Sequence, residues 1–465
     1  MNYIFLDLET SGASTAFDSI LECAAILTND KLETLSTFHR KARLREGVIP
    51  NLGALNVTGF DVNWLKQNPS PHSLITDMEK QFKEWGPACY FGYNSQLFDF
   101  IFIQKSFFQS LKPPYMLNTG GNKQGDILNV IRAAKLVNND VIQTPMTEKG
   151  NPSFRLSDLM QHQDAHGALP DTQACLSVAK KVYKKANTVW RSSLLSLSRA
   201  ETEDLLKKEP LFCNVEYFYG RARIYLSKFI LMHAIYRWGI CWDLQHAPED
   251  YIKMEYNELK KALSKSPKVL RTVKTNKSPV LLNPSYGYAA INYKDIPKEV
   301  IQKRIKLLES SPEFLERINS ILIEQHEERP ERSQKENLQP EETLYGGGFA
   351  SENDNQIMQK FHLSTWDEKV KLIDKFSDER FSLFSKRIIY EEKPEVLPES
   401  ISKEVKKGIA ERIFSTEKKP WTTIPEFYKS IDDMRNKKEN DELVLKRLDE
   451  YNDFVMEIEK KYETI

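Results

Sequence analysis

Cysteine is scarce and unpatterned in this 465-residue chain. Cys23, Cys89, Cys175, Cys213 and Cys241 make no CxxC pair and no framework spacing. That speaks against a disulfide scaffold and fits a reducing cytosol with buried free thiols. Long apolar runs are absent as well. None reaches membrane-spanning length, and the N-terminus passes straight into a strand without a basic signal region. A cytoplasmic protein with no membrane association is the expectation. Net charge is missing too: 66 Lys and Arg balance 66 Asp and Glu. No global field therefore announces a nucleic-acid partner, although segregated charge would still allow a basic channel. We find no internal repeat.

What is present is an ordinary globular composition, 40% hydrophobic and 28% charged. The length exceeds one common core, so two or three domains are expected. Residues 1–190 have α/β texture. "YIFLDL", "ILECAAILT" and "ACYFGYN" have the makings of strands, and "SLITDMEKQFKEW", "QLFDFIFIQKSFFQSL" and "GDILNVIRAAKLV" of helices. The part closes with "PDTQACLSVAKKVYKKANTVW", a helix with Pro170 in its first turn. Residues 191–340 mix short strands ("NVEYFYG", "RARIYLSKFILM", "KVLRTVKTN", "SPVLLN") with two later helices. "ERPERSQKENLQPEET" is polar and lacks apolar periodicity, so it is a linker or exposed loop. Residues 341–465 have helical spacing throughout. The predicted fold class is mixed α/β with a helical C-terminal part.

The first strand ends in acid, "IFLDLETSG". On an extended chain Asp7 and Glu9 project to one side, where two carboxylates repel unless a cation or proton lies between them. Further acids follow in this part. Asp99, in "GYNSQLFD", stands after a strand and turn at the start of an apolar helix. His166 precedes Asp171 by five residues in "AHGALPDTQA". Taken singly, Asp99 and Asp171 also suit helix N-terminal acids favoured by the dipole.

Asp, Glu, Asp and Asp, with His five residues before the last, resembles the pattern of the DEDDh 3′→5′ exonucleases. Within that family the chain is most similar to the bacterial exodeoxyribonuclease I group. "DLETSG", "IPNLGALNVTG", "GYNSQLFD", "GDILNVIRA", "PSFRLSDL" and "AHGALPDTQA" follow that group's order, as do "TNKSPVLL", "LYGGGFAS" and "DERFSLFSKRIIYEE" further on. The resemblance implies an RNase H-like exonuclease domain (1–190), an SH3-like domain with a helical insertion (191–340) and a helical domain (341–465). Together these would enclose a channel for single-stranded DNA.

The resemblance further implies processive 3′→5′ degradation of single-stranded DNA to 5′-mononucleotides, in repair or recombination. Two Mg²⁺ ions roughly 4 Å apart, with Mn²⁺ as an alternative, would serve the attacking and leaving oxygens. Asp7, Glu9 and Asp171 would hold the metals, Asp99 would complete the second site, and His166 would be the general base. Glu9, Arg155, Tyr115, Arg132 and Thr58 match substrate-contacting positions. For Arg155 the plain alternative is an exposed helix-start arginine, and for Tyr115 and Arg132 a packing or surface role. The basic stretch Lys260–Lys277 is a candidate channel lining. Expected partners are single-stranded DNA and the single-stranded DNA-binding protein, with a monomeric chain. A chain ending near Trp190, if soluble, is expected to cleave short oligonucleotides distributively. Phe100 and Ile101 after the "FD" aspartate, and Gly167 and Pro170 between His166 and Asp171, depart from the family pattern. Rival readings are a DEDDh ribonuclease trimming RNA 3′ ends and a non-catalytic single-strand-binding scaffold.

Overall fold

The computed structural model describes residues 1–160, 167–328, 338–438 and 441–463. Two five-stranded sheets and a helical C-terminal part give the expected mixed α/β fold. The first sheet comprises β1 (Asn2–Thr10), β2 (Ile20–Thr28), β3 (Thr34–Lys41), β4 (Ala88–Gly92) and β5 (Lys123–Asp126). Its order is β3-β2-β1-β4-β5. β1 runs antiparallel to β2 and parallel to β4. Helices cover both faces, which is why β2 and β4 are buried along their whole lengths and are apolar without alternation.

β1 shows how the faces divide. Ile4, Leu6 and Leu8 pack with Leu74, Met78 and Phe82 of the helix Pro71–Trp85 and with Phe100 and Ile103 of the helix Asp99–Gln109. Tyr3 and Phe5 share a core with Ile131 of the helix Ile127–Val137 and with Val178 and Val182 of the helix Ala168–Lys185. The period of two then sends Asp7 and Glu9 toward the helix that carries Asp171.

The second sheet is antiparallel, ordered β10-β6-β7-β8-β9. Its strands are β6 (Leu211–Phe218), β7 (Arg221–Met232), β8 (Gly239–Asp243), β9 (Leu270–Val273) and β10 (Leu281–Leu282). β6 and β7 are joined by Tyr219 and Gly220 alone, at φ 50° and 77°. Positive φ at both central residues is the tight-hairpin geometry whose twist matches the flanking strands. Trp242, Leu282, Tyr293 and Ile318 of this part belong to the same continuous core as Tyr3 and Phe5. The C-terminal helices dock likewise: Phe361, Phe384, Phe427 and Tyr451 pack with Leu21, Leu55, Phe60 and Phe108.

Three strands carry no signal strong enough to be read in sequence: β3, β5 and β8. The polar stretch before the C-terminal helices is only partly the loop that its composition implies. Residues 329–337 lie outside the described residues, but Pro340–Glu342 forms a helical turn. Glu341 there is 1% exposed and accepts from Arg387 and from Arg412, the latter at 2.7 Å. Two guanidiniums outweigh the cost of burial and hold its carboxyl down at about 2.

Candidate active site

The site begins where β1 ends. The ladder to β2 shifts register between Glu9 and Thr10, and the chain turns away. Asp18 anchors that turn, accepting from Ser11 Oγ (3.1 Å) and the Ser14 N–H (2.8 Å). A Cβ at position 12 would lie 2.4 Å from an Asp18 oxygen, so "ETSG" needs its glycine. The Asn51 N–H donates to Ser11 O (2.7 Å), setting the helix Leu52–Thr58 beside the same turn.

Asp171 enters from the first turn of the helix Ala168–Lys185. One oxygen from each of Asp7, Glu9 and Asp171 lies within 4.8 Å of the others, and all three side chains are partly exposed. Three carboxylate oxygens this close together could hold an oxygen-preferring divalent cation. Asp99 is buried at the first residue of its helix. The turn that delivers it is held by Asp126, which accepts the N–H groups of Asn94 (2.9 Å), Gln96 (3.3 Å) and Leu128 (3.0 Å). Asp126 is thus an acid beside the cluster whose carboxylate is spent on backbone.

Crowding is visible in the protonation equilibria. Burial, then the charges of Asp99, Glu9, Asp171 and Glu22, push Asp7 well above the usual carboxylate range. Burial and the charges of Asp171, Glu22 and Asp99 raise Glu9 to about 8. Burial, with a contribution from Asp126, raises Asp99 to about 6. A carboxyl whose folded-state pKa lies above its unfolded value stabilises the fold while protonated, and that stability is lost as pH rises through the folded value. Protein stripped of divalent ions with EDTA should therefore show a falling melting temperature between about pH 5 and about pH 9. Mg²⁺ should restore most at the alkaline end, because a ligand that binds only the folded state stabilises it. A melting temperature flat across that range would contradict the crowding.

Asp171 also lines an open groove of about 1460 Å³, together with Arg132, Arg155, Tyr93, Tyr217 and Tyr219. The two sheets thus share one groove, with the β6–β7 hairpin contributing its aromatic tip. Arg155 is exposed, at the N-terminal end of the short helix Leu156–Leu159. Arg132 stacks its guanidinium 3.6 Å from the Tyr217 ring centroid, a cation–π contact that links the first and second parts. Tyr115 lies elsewhere, in an apolar groove of about 700 Å³ against the C-terminal part, edge-on to Phe349. Thr58 ends its helix and donates to Ala54 O (3.1 Å). His166 lies outside the described residues. The basic stretch is divided: Lys260 pairs with Glu324 and Glu328, whereas Lys277 donates to Gln96 O (2.8 Å) in the turn before Asp99.

Asp126, Tyr217 and Glu22 escaped the sequence reading. Only Glu22 had a signal, as the lone acid in the apolar run "ILECAAILT".

Residues 338–458 match the family described as the exonuclease I C-terminal domain. The chain is 29% identical over 191 residues to exodeoxyribonuclease I of Buchnera aphidicola, a match covering 40% of this chain and 46% of that protein. It thus spans just under half the length of that relative. E. coli exonuclease I in complex with a dA16 oligonucleotide aligns with a TM-score of 0.82 at 20% identity, over 98% of this chain and 99% of that one. The zinc-bound form of the E. coli complex with single-stranded DNA gives 0.79 at 19%, with the same coverage. Domain match, sequence relatives and a fold shared end to end together relate this chain to the bacterial exonuclease I proteins.

Proposed function

We propose that the chain is a metal-dependent 3′→5′ exonuclease that degrades single-stranded DNA processively to 5′-mononucleotides. The observation that carries this reading is the Asp7–Glu9–Asp171 cluster within 4.8 Å, joined through Asp171 to a groove holding two arginines. The donor set fits a hard divalent cation: all are carboxylate oxygens, and the raised pKa values of Asp7 and Glu9 express a demand for positive charge. Asp7, Glu9 and Asp171 would hold Mg²⁺, or Mn²⁺ in its place, and Asp99 would complete a second position. Ions bound there supply a nucleophilic water at neutral pH and neutralise the leaving oxygen.

The chain's own residues do the rest. His166, five residues before Asp171, takes the proton of the attacking water. Arg155 clamps a phosphate through its planar guanidinium, and Arg132, fixed on Tyr217, adds a second positive charge along the groove. Glu9 and Thr58 border the terminal nucleotide, and Tyr115 offers a stacking face further along the strand. Residues 1–190, 191–340 and 341–465 act as catalytic, channel-forming and clamping parts of a monomer. Cytoplasmic location and recruitment by a single-stranded DNA-binding protein belong to the same reading.

The test is a single-encounter assay on long end-labelled substrates, started with excess unlabelled competitor. Labelled single-stranded DNA should be degraded extensively with Mg²⁺ and left intact with EDTA, and duplex should be spared. Preferential loss of RNA would favour the ribonuclease. Binding without turnover would favour a scaffold, and release after one or two cuts would refute the channel.

A further inference from the structure

Glu22 is 5% exposed near the start of β2, directly opposite Glu9 in the ladder. Directly opposed residues share a face, so its carboxyl lies on the side of Asp7 and Glu9. Its oxygens are engaged in another way. One meets His39 Nε2 at 2.6 Å, and the other accepts the Ala168 N–H at 3.2 Å.

Ala168 is the first residue of the helix that carries Asp171 in its first turn. The residue before it, Gly167, has no side chain to cap the free N–H groups of that end. Glu22 supplies from a neighbouring strand what an N-cap side chain supplies locally, and its charge suits the helix dipole. One turn on, the Thr172 hydroxyl donates to Ala168 O of its own helix (2.7 Å) and lies 3.3 Å from Ala24 O of β2, so the Glu22 carboxylate is the firmer polar tie between the helix start and the strand.

We propose that Glu22, steadied by His39, is a positioning residue: it docks the start of the helix on β2 and so sets Asp171 against Asp7 and Glu9. The inference rests on reading those three acids as metal ligands. It assigns Glu22 no ligand role, because both its oxygens are already committed.

The test uses the full chain with Glu22→Ala and Glu22→Gln. Mn²⁺ binding is followed by electron paramagnetic resonance, and hydrogen exchange of the Ala168, Leu169, Asp171 and Thr172 amides is measured in metal-free protein. Glu22→Ala should weaken Mn²⁺ binding about 10–100-fold, the usual cost of losing an outer partner of a metal ligand, and should speed exchange at those amides. Glu22→Gln keeps an oxygen for the Ala168 N–H and should stay within a few-fold of wild type in both readouts. If Glu22→Ala does not accumulate as folded protein, Glu22→Asp, with the carboxylate withdrawn by one methylene, carries the same expectation. Wild-type behaviour of Glu22→Ala would overturn the proposal. So would a Glu22→Gln as weak as Glu22→Ala, which would make the effect one of charge alone. Failure of wild type to bind Mn²⁺ would sink the metal reading itself, while the exchange data would still decide whether Glu22 docks the helix.

Discussion

Asp7→Asn should lower turnover of single-stranded DNA by about 10³-fold or more, because a bound metal supplies several kcal/mol of transition-state stabilisation and each 1.36 kcal/mol is a factor of ten. The same change should raise the melting temperature of EDTA-treated protein at alkaline pH. Asp7 is held well above the usual carboxylate range by burial and by four neighbouring acids, so its ionised form strains the fold. Asparagine keeps the shape and removes the charge. Opposite signs for activity and stability distinguish a functional acid from a structural one. Asp126→Ala serves as the contrast: its side chain accepts three backbone N–H groups that alanine leaves unpaired, so that variant should lose stability. Should Asp7→Asn retain near wild-type cleavage, Asp7 is no ligand.

A chain ending at Trp190 should fail to fold as a soluble monomer. The apolar core beneath β1 does not stop at that residue. Tyr3, Phe5 and Trp190 lie in one cluster with Trp242, Leu282, Tyr293 and Ile318. On the other side, Leu21, Leu55, Phe60 and Phe108 are covered by Phe361, Phe384, Phe427 and Tyr451. Each large side chain stripped of its cover forfeits up to about 1.5–3 kcal/mol, and a handful of them equals the whole stability of about 5–15 kcal/mol. Polar ties go as well: Gln96, in the turn before Asp99, loses its bonds to Lys277 and Ser278. Gel filtration and thermal melting decide the matter. Aggregation or a broad, uncooperative melt is expected, and a monomer with a sharp transition would contradict the shared core. The distributive short-oligonucleotide activity expected from sequence for this fragment thus presupposes a fold that the packing does not support.

The first sheet's central strands were legible because burial on both faces makes β2 and β4 continuous apolar runs. β3 was not, since six of its eight residues are exposed and the strand is held as much by ladder bonds as by burial. Asp7, Glu9, Asp99 and Asp171 could be picked out because acids at strand ends and helix starts interrupt apolar patterns. Their convergence depends on a crossover that brings a helix from residue 168 back over β1, and spacing alone does not show this. Tyr217 was hidden for a related reason. Its partner Arg132 is 85 residues away, on a helix of the other sheet's layer. Tyr115 and Arg155 were candidates for one substrate path, yet the fold sets them in separate grooves, one against the C-terminal helices and one beside Asp171. A long strand touching both would have to cross from one part of the molecule to the other.

The most direct measurement of the central claim is the product ladder from a 5′-labelled single-stranded oligonucleotide incubated with the full chain and Mg²⁺. The account predicts that the label stays on progressively shorter fragments, that unlabelled 5′-mononucleotides appear from the first time points, and that both stop on adding EDTA. Early release of the label as a mononucleotide, a set of internal cuts, or cleavage that persists in EDTA would contradict a metal-dependent enzyme working from the 3′ end.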